Sequence, residues 1–353
     1  MNNKYSLSIL VILLILSLVA CSSRAELSGE SEGKSATTVQ LEEHSLVELP
    51  LHGEAAKAEN EYSGLAWWNE SLILLPQYPR GIKANQESKL FLIDKANILA
   101  YLENPELEIE IEIIPFLDAF TGQEIAGFEG YEAIEFIGDS VFLTIEASPN
   151  GKMKAYVVKG IVEQSNGKLQ NIRLDKTGWL ELEPQNNNKN ASYEALTTDG
   201  EFLYAIFEQN GEAQNEQPLV FKINQDLVIV DELPIDPVNF RLTDASKIDK
   251  NGEFWMINYF FPGDTHLKVK SDAISEKYGL GKSHLENEVV ERLLKFKLDN
   301  ERIKVVDETP IYLELLPKNV ARNWEGIVEL DDIGFLIITD KFPDSILSFV
   351  KIK

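Results

Sequence analysis

The chain has one cysteine, Cys21. Structural disulfides and thiolate zinc sites are therefore excluded. Histidine is scarce and scattered, at His44, His52, His266 and His284. That leaves no imidazole cluster for a transition metal. No nucleophile elbow of the Gly-x-Ser-x-Gly type stands between a strand and a helix, so a serine hydrolase of that kind has no seat. Basic residues are few: 33 Lys and Arg stand against 58 Asp and Glu, a net charge of -25. Such acidity argues against nucleic acid and anionic headgroups as partners, and it suits cations. Solubility alone also explains much of it. After the first twenty residues no long apolar run occurs.

What is present begins at the N-terminus. Lys4 forms a short basic region, and Leu7 to Val19 is almost wholly apolar. That length fits the core of a signal peptide and is short for a spanning helix of about 20 residues. Leu18-Val19-Ala20-Cys21 follows and resembles a bacterial lipobox, which makes 1–20 a lipoprotein signal peptide. The small Ala20 suits the peptidase, and the Cys21 thiol would carry lipid, including palmitate. The expected location is extracytoplasmic, on the outer membrane or cell surface, with Ser22 rather than Asp after the cysteine. Cleavage removes Lys4 and no acid, which takes the charge from -25 to -26. Residues 21–43 are polar and read as a flexible tether.

Residues 44–353 are long for one core unless that core is repetitive. Five segments align: Tyr62-Ser63-Gly64, Tyr131-Glu132-Ala133, Tyr193-Glu194-Ala195, Thr243-Asp244-Ala245 and Trp324-Glu325-Gly326. Each leads into an apolar strand and then a turn: Asn69-Glu70, Gly138-Asp139, Asp199-Gly200, Asn251-Gly252 and Asp331 to Gly334. Asn-Gly and Asp-Gly between apolar runs are strong hairpin signals. A second strand returns and ends on Gln77, Glu146, Glu208, Asn258 or Asp340. The distance between the two polar slots is 14 residues in four repeats and 15 in the last. Third strands follow, and fourth strands in the first four repeats, with the alternating Leu107 to Ile113 as one of them.

Four strands per repeat predict an all-β fold, a five-bladed β-propeller. Ser45 to Leu51 would supply the strand missing from the last blade and close the ring. A sixth blade would need to hide between Gly263 and Glu291. That stretch, about 264–290, reads instead as a partly helical insertion in the fourth blade, with helical character at Ser271–Tyr278 and Leu285–Leu294. It would form a lid or side arm. The five tryptophans are spaced as packing residues of the blades.

In a propeller the innermost strands line a central channel, and both polar slots of each repeat return to one mouth. Glu132, Glu194, Asp244 and Glu325 would form an incomplete inner ring of metal ligands, with Ser63 in the fifth place. Glu146 and Glu208, in the wider ring, are the candidate general bases. Converging carboxylates repel one another unless they protonate or bind a cation, and oxygen-only donors select Ca²⁺. Alternatively these acids cap backbone N–H groups of neighbouring blades. Arg80, Arg241, Arg322 and Lys341 each lie beside a slot. They would clamp an anionic substrate, or pair with the acids.

The Tyr-Glu-Ala and Trp-Glu-Gly segments, with Asn258-Tyr259-Phe260-Phe261-Pro262-Gly263, resemble the phytase-like propellers, also described as the esterase-like domain of phytase. More distantly they resemble the calcium-dependent lactonase propellers, whose channel Glu precedes Gly. The resemblance spans most of residues 45–353. It implies a propeller with channel calcium and, in some members, phosphoester hydrolysis. Phytases carry a site rich in Lys and Arg, which this chain lacks. Gly279-Leu280-Gly281-Lys282-Ser283 imitates the end of a P-loop, but Glu276 stands where the first Gly belongs. Two functions follow as expectations. One is a monomeric binding propeller, tethered to a membrane, that takes a small molecule or protein at its mouth. The other is a calcium-dependent phosphoesterase or lactonase-type hydrolase.

Overall fold

A computed structural model describes residues 40–81, 87–118 and 124–352. The lipobox and Cys21 lie outside the described residues. The five hairpin turns form where the sequence places residues tolerant of positive φ. Asn69, Gly138, Gly200, Gly252 and Asp331 all adopt it, at 51°, 60°, 93°, 80° and 49°. Each turn returns the chain antiparallel onto its first strand.

Blade 1 comprises Tyr62–Trp68, Ser71–Pro76, Lys89–Asp94 and Glu112–Leu117. Blade 2 comprises Phe128–Ile137, Ser140–Ala147, Lys154–Ser165 and Lys168–Leu182. Blade 3 comprises Ala195–Thr198, Leu203–Ile206, Leu219–Ile223 and Ile229–Pro234. Blade 4 comprises Arg241–Ala245, Glu253–Phe260, Val290–Leu298 and Ile311–Leu313. Blade 5 comprises Trp324–Leu330, Gly334–Thr339 and Leu347–Lys351. Its fourth strand is Leu46–Leu49, antiparallel to Leu347–Lys351, so the N-terminal segment closes the ring.

The blades stack through apolar side chains. Five large clusters lie one at each interface between consecutive blades, the fifth joining blade 5 to blade 1. The ring is therefore five-fold among the described residues, with no room for a sixth blade. Hydroxyls lace the inner strands together. Ser63 Oγ donates to Tyr131 O at 2.6 Å, Thr197 Oγ1 to Ser246 O at 2.7 Å, and Thr243 Oγ1 to Trp324 O at 2.6 Å. The Gly of Trp-Glu-Gly is required by close approach: a Cβ on Gly326 would meet Leu65 N at 2.9 Å and Ile338 Cγ2 at 2.7 Å. Trp324 and Trp68 are core residues, whereas Trp179 is 45 % exposed on the outer strand of blade 2.

Three features depart from the sequence reading. In blade 1 a helix, Lys95–Glu103, follows the third strand and packs Ile98 into the core shared with blade 5. The fourth strand is thereby displaced to Glu112–Leu117, so most of Leu107–Ile113 is loop. In blade 2 the long outer hairpin reaches the edge of blade 1, where Ile172 pairs in parallel with Phe116. That contact removes two open edges at once. In blade 4, helical character ends at Glu286, because Val290–Leu298 is the third strand.

The insertion is a side arm pinned to blade 4. It contains the helices Ala273–Tyr278 and Lys282–Glu286. Fully buried Arg292 holds Asp272, with Nη1 to Oδ2 at 2.6 Å and Nη2 to Oδ1 at 3.2 Å. Burial alone would raise the Asp272 carboxyl, but the Arg292 guanidinium prevails and holds it at about 2. The chain before the closing strand clasps the arm as well. Gln40–Leu41 pairs with Leu280–Gly281, and Glu43 accepts bonds from Ser283 N, Ser283 Oγ and His284 Nδ1. Ordered backbone thus extends into the segment read as tether.

Candidate functional site

The slot residue of blades 1, 2 and 5 is the extra residue of a β-bulge. Register shifts fall between Tyr62 and Gly64, Tyr131 and Ala133, and Trp324 and Gly326. A bulge re-aims the side chain it carries, here Ser63, Glu132 and Glu325. In blade 3, Glu194 stands just before the first strand. These four side chains line one cavity of 410 Å³ at the channel mouth, together with Gln77, Glu146 and Asp340 from the second strands. Glu61, Asp264, Arg241 and Lys341 also line it, and Tyr78, Tyr259, Phe261 and Phe342 contribute aromatic surface.

Asp244 is not there. In blade 4 the register shift spans Leu242 to Ala245, and the carboxylate turns into the channel interior. It accepts Ile327 N at 2.8 Å and bonds the backbone N–H groups of Ala245 and Leu65. Burial raises its carboxyl well above the usual range against the pull of those donors. Asp244 ties blades 4, 5 and 1 together, which is the capping role rather than the metal role. Asn258 is also absent from the cavity lining: its Oδ1 accepts Nε of Arg292, on the third strand of blade 4, at 2.8 Å.

Glu208 lies below the cavity wall, 0 % exposed, in a buried ion pair with Arg241 Nη1. Burial pushes its carboxyl up to about 7, and Arg241 opposes that shift. It presents no exposed oxygen to a substrate. Arg241 also reaches Asp264 Oδ2 through Nε at 2.9 Å and stands 3.8 Å from Glu194 Oε1. Burial works against the Arg241 charge, and the surrounding Glu208, Glu194 and Asp264 overcome it.

The other cations divide. Lys341 is at the cavity, with Nζ 2.7 Å from Glu61 Oε2. Arg80 lies at the junction of blades 1 and 2, where its Nε is 3.6 Å from Asp118 Oδ2. Arg322 is buried beneath blade 5: its Nη2 is 2.8 Å from Glu291 Oε2, and Trp324 Nε1 donates to the same oxygen at 2.8 Å. The structure therefore brings two of the four sequence-selected cations to the mouth, each already ion-paired.

The remaining carboxyls are crowded and wholly or partly buried. Burial pushes Glu132 up to about 8, against a 3.0 Å hydrogen bond from Gln77 Nε2. Burial and then the charge of Glu132 push Glu146 up to about 10. Burial likewise raises Glu194 and Glu325 well above the carboxylate range, and it raises Asp340. Glu325 Oε1 accepts Tyr259 Oη at 3.1 Å. Glu194 Oε2 and Glu208 Oε1 are buried without a hydrogen-bond partner. Such orphans are rare in folded proteins and mark a place for water or ligand.

All donors at the mouth are oxygens, which fits a hard cation in kind. Their spacing does not: among the described residues, no three His, Cys, Asp or Glu side chains converge as a metal-holding group. Sequence reasoning missed Glu61, Asp264, Tyr78, Tyr259, Phe261 and Phe342. The last four stand one to three residues beyond a second-strand slot, a signal that was present in the repeat.

No protein-family model matches the chain, and no curated protein sequence matches it. Solved structures do resemble it in architecture. The soluble aldose sugar dehydrogenase of Escherichia coli is 8% identical and covers 87% of this chain and 99% of its own, with a TM-score of 0.43. Bacillus subtilis levansucrase, bound to oligosaccharides, is 11% identical over 80% of this chain and 79% of its own, with a TM-score of 0.47. An α-L-arabinanase variant from Cellvibrio cellulosa is 10% identical over 88% of this chain and 93% of its own, with a TM-score of 0.44. Identities this low transfer no chemistry to this chain.

Proposed function

We propose that this chain is an extracytoplasmic lipoprotein whose β-propeller binds a cationic ligand at its acidic channel mouth. The anchoring half rests on Leu7 to Cys21. The binding half rests on one observation. Among the described residues, seven carboxyl side chains line the cavity, and both of its cations, Arg241 and Lys341, already have carboxylate partners. Crowded, partly buried carboxyls are relieved by protons or by a bound cation. Ca²⁺ suits these donors in kind, but the cavity walls would have to contract to cage it.

A second reading, hydrolysis of a phosphoester or lactone, draws on Glu146. Burial keeps its proton on at neutral pH, which suits a general acid rather than a base. Phosphoester recognition is the weaker half of the phytase-like resemblance, because among the described residues no cavity cation is free to clamp phosphate.

Isothermal titration of the full-length protein in mild detergent tests the binding claim against a panel of inorganic and organic cations. Saturable binding of at least one cation, lost in Glu132→Gln/Glu194→Gln, is expected. A panel that gives no binding would overturn it. Cys21→Ser should move the protein out of the membrane fraction; retention there would contradict the anchor.

A further inference from the structure

The cavity's acids do not share a focus. A single ion finds no preformed cage among the described residues. The cavity carboxyls with no cation in contact come from two blades. Glu132 and Glu146 come from blade 2, and Glu325 and Asp340 come from or just beyond blade 5. Blade 1 stands between these blades in the ring: its slot residues, Ser63 and Gln77, are neutral, and Glu61, just before its first strand, is paired with Lys341.

The resident cations already have carboxylate partners, although Arg241 also bears on Glu325 and Lys341 on Asp340. Arg241 is held by Glu208 and Asp264, and Lys341 by Glu61. The charges that bear most strongly on Glu132 and Glu146 are all acidic. Glu194, 8 % exposed and in the same cavity, has its Oε2 without a partner. The rim is apolar: Phe261 and Phe342 are 44 % and 54 % exposed, and Tyr78 joins them in the lining. Two acidic ends, a neutral middle and an aromatic rim describe the complement of an extended organic cation. Ammonium groups and their carbon chains are favoured against aromatic faces. The volume of 410 Å³ falls in the range of about 300–1,000 Å³ usual for small-molecule sites.

We propose that the mouth binds an aliphatic diamine. One ammonium sits at Glu132 and Glu146, the other at Glu325 and Asp340. The carbon chain crosses blade 1 past Ser63 and Gln77, beside Tyr78 and Phe342. This rests on the cation-binding reading above and narrows it to one chemical class.

Titration of the full-length protein in mild detergent with diaminobutane, butylamine and CaCl₂, at matched ionic strength, tests it. Diaminobutane should bind about tenfold or more tighter than butylamine, because its second ammonium binds intramolecularly. Glu132→Gln should bring the diamine down to the affinity of the monoamine. Equal affinity for the two amines overturns the diamine. Binding of Ca²⁺ alone overturns it too, yet leaves the broader cation reading standing. No binding by any of the three overturns both. Should Glu132→Gln fail to fold, a chain-length series of diamines on the unaltered protein decides. An optimum at one spacing supports the proposal, and a flat series overturns it.

Discussion

Blade 4 and blade 2 solve the problem of buried charge in opposite ways. Around blade 4 the buried ionic groups are satisfied: Arg292 holds Asp272, Arg241 holds Glu208 and Asp264, and backbone N–H groups hold Asp244. At the mouth end of blade 2, Glu132 and Glu146 lie side by side, and Gln77 is the neutral neighbour that bonds Glu132. Compensated charge fixes the insertion and the channel wall, so it serves the fold. The mouth carboxyls lack such partners and must be relieved, by protons when the cavity is empty and by a cation when it is filled.

The largest test of this contrast removes a compensating partner. Arg292→Leu leaves Asp272 buried and unpaired beside the arm it anchors, and should cost about 3–5 kcal/mol in urea unfolding. A loss below about 1 kcal/mol would mean that the ion pair does not hold the arm. A smaller effect of opposite sign is expected at the mouth. Glu132→Gln keeps the shape and an amide that can still meet Gln77, but deletes a carboxyl that burial disfavours when charged. It should be neutral or stabilising by about 1 kcal/mol at neutral pH without ligand. A clear destabilisation would show that the Glu132 charge is already compensated.

The ring of blades was legible in the sequence because each repeat meets two local demands. The turn needs Asn, Asp or Gly for positive φ, and the inner strand needs a small residue where the blades crowd, as at Gly326. Both demands act within a few residues and leave a fixed spacing. What stayed hidden depends on longer reach. Asp244 sits in the same slot as Glu132, yet a longer register shift in blade 4 turns it from the mouth to the backbone of blades 5 and 1. Arg322 lies beside a slot, but its partner Glu291 belongs to blade 4. The helix Lys95–Glu103 displaces an outer strand, because an alternating run can equally be a loop when a helix already covers the core. The spacing of the mouth acids likewise follows from the closed ring, not from their order along the chain.

The most direct test of the central claim is the thermal unfolding midpoint of the full-length protein as a function of pH, with and without diaminobutane. The Glu132 carboxyl is raised from its ordinary 4.5 to about 8 in the fold. Its contribution is therefore complete below about pH 4.5 and is lost as pH rises through about 8. Without a cation, the midpoint should fall across that window. With the diamine it should recover at the alkaline end, and Glu132→Gln should flatten both the fall and the recovery. A midpoint that holds level to pH 8 in the unaltered protein, with no response to the cation, would contradict the account.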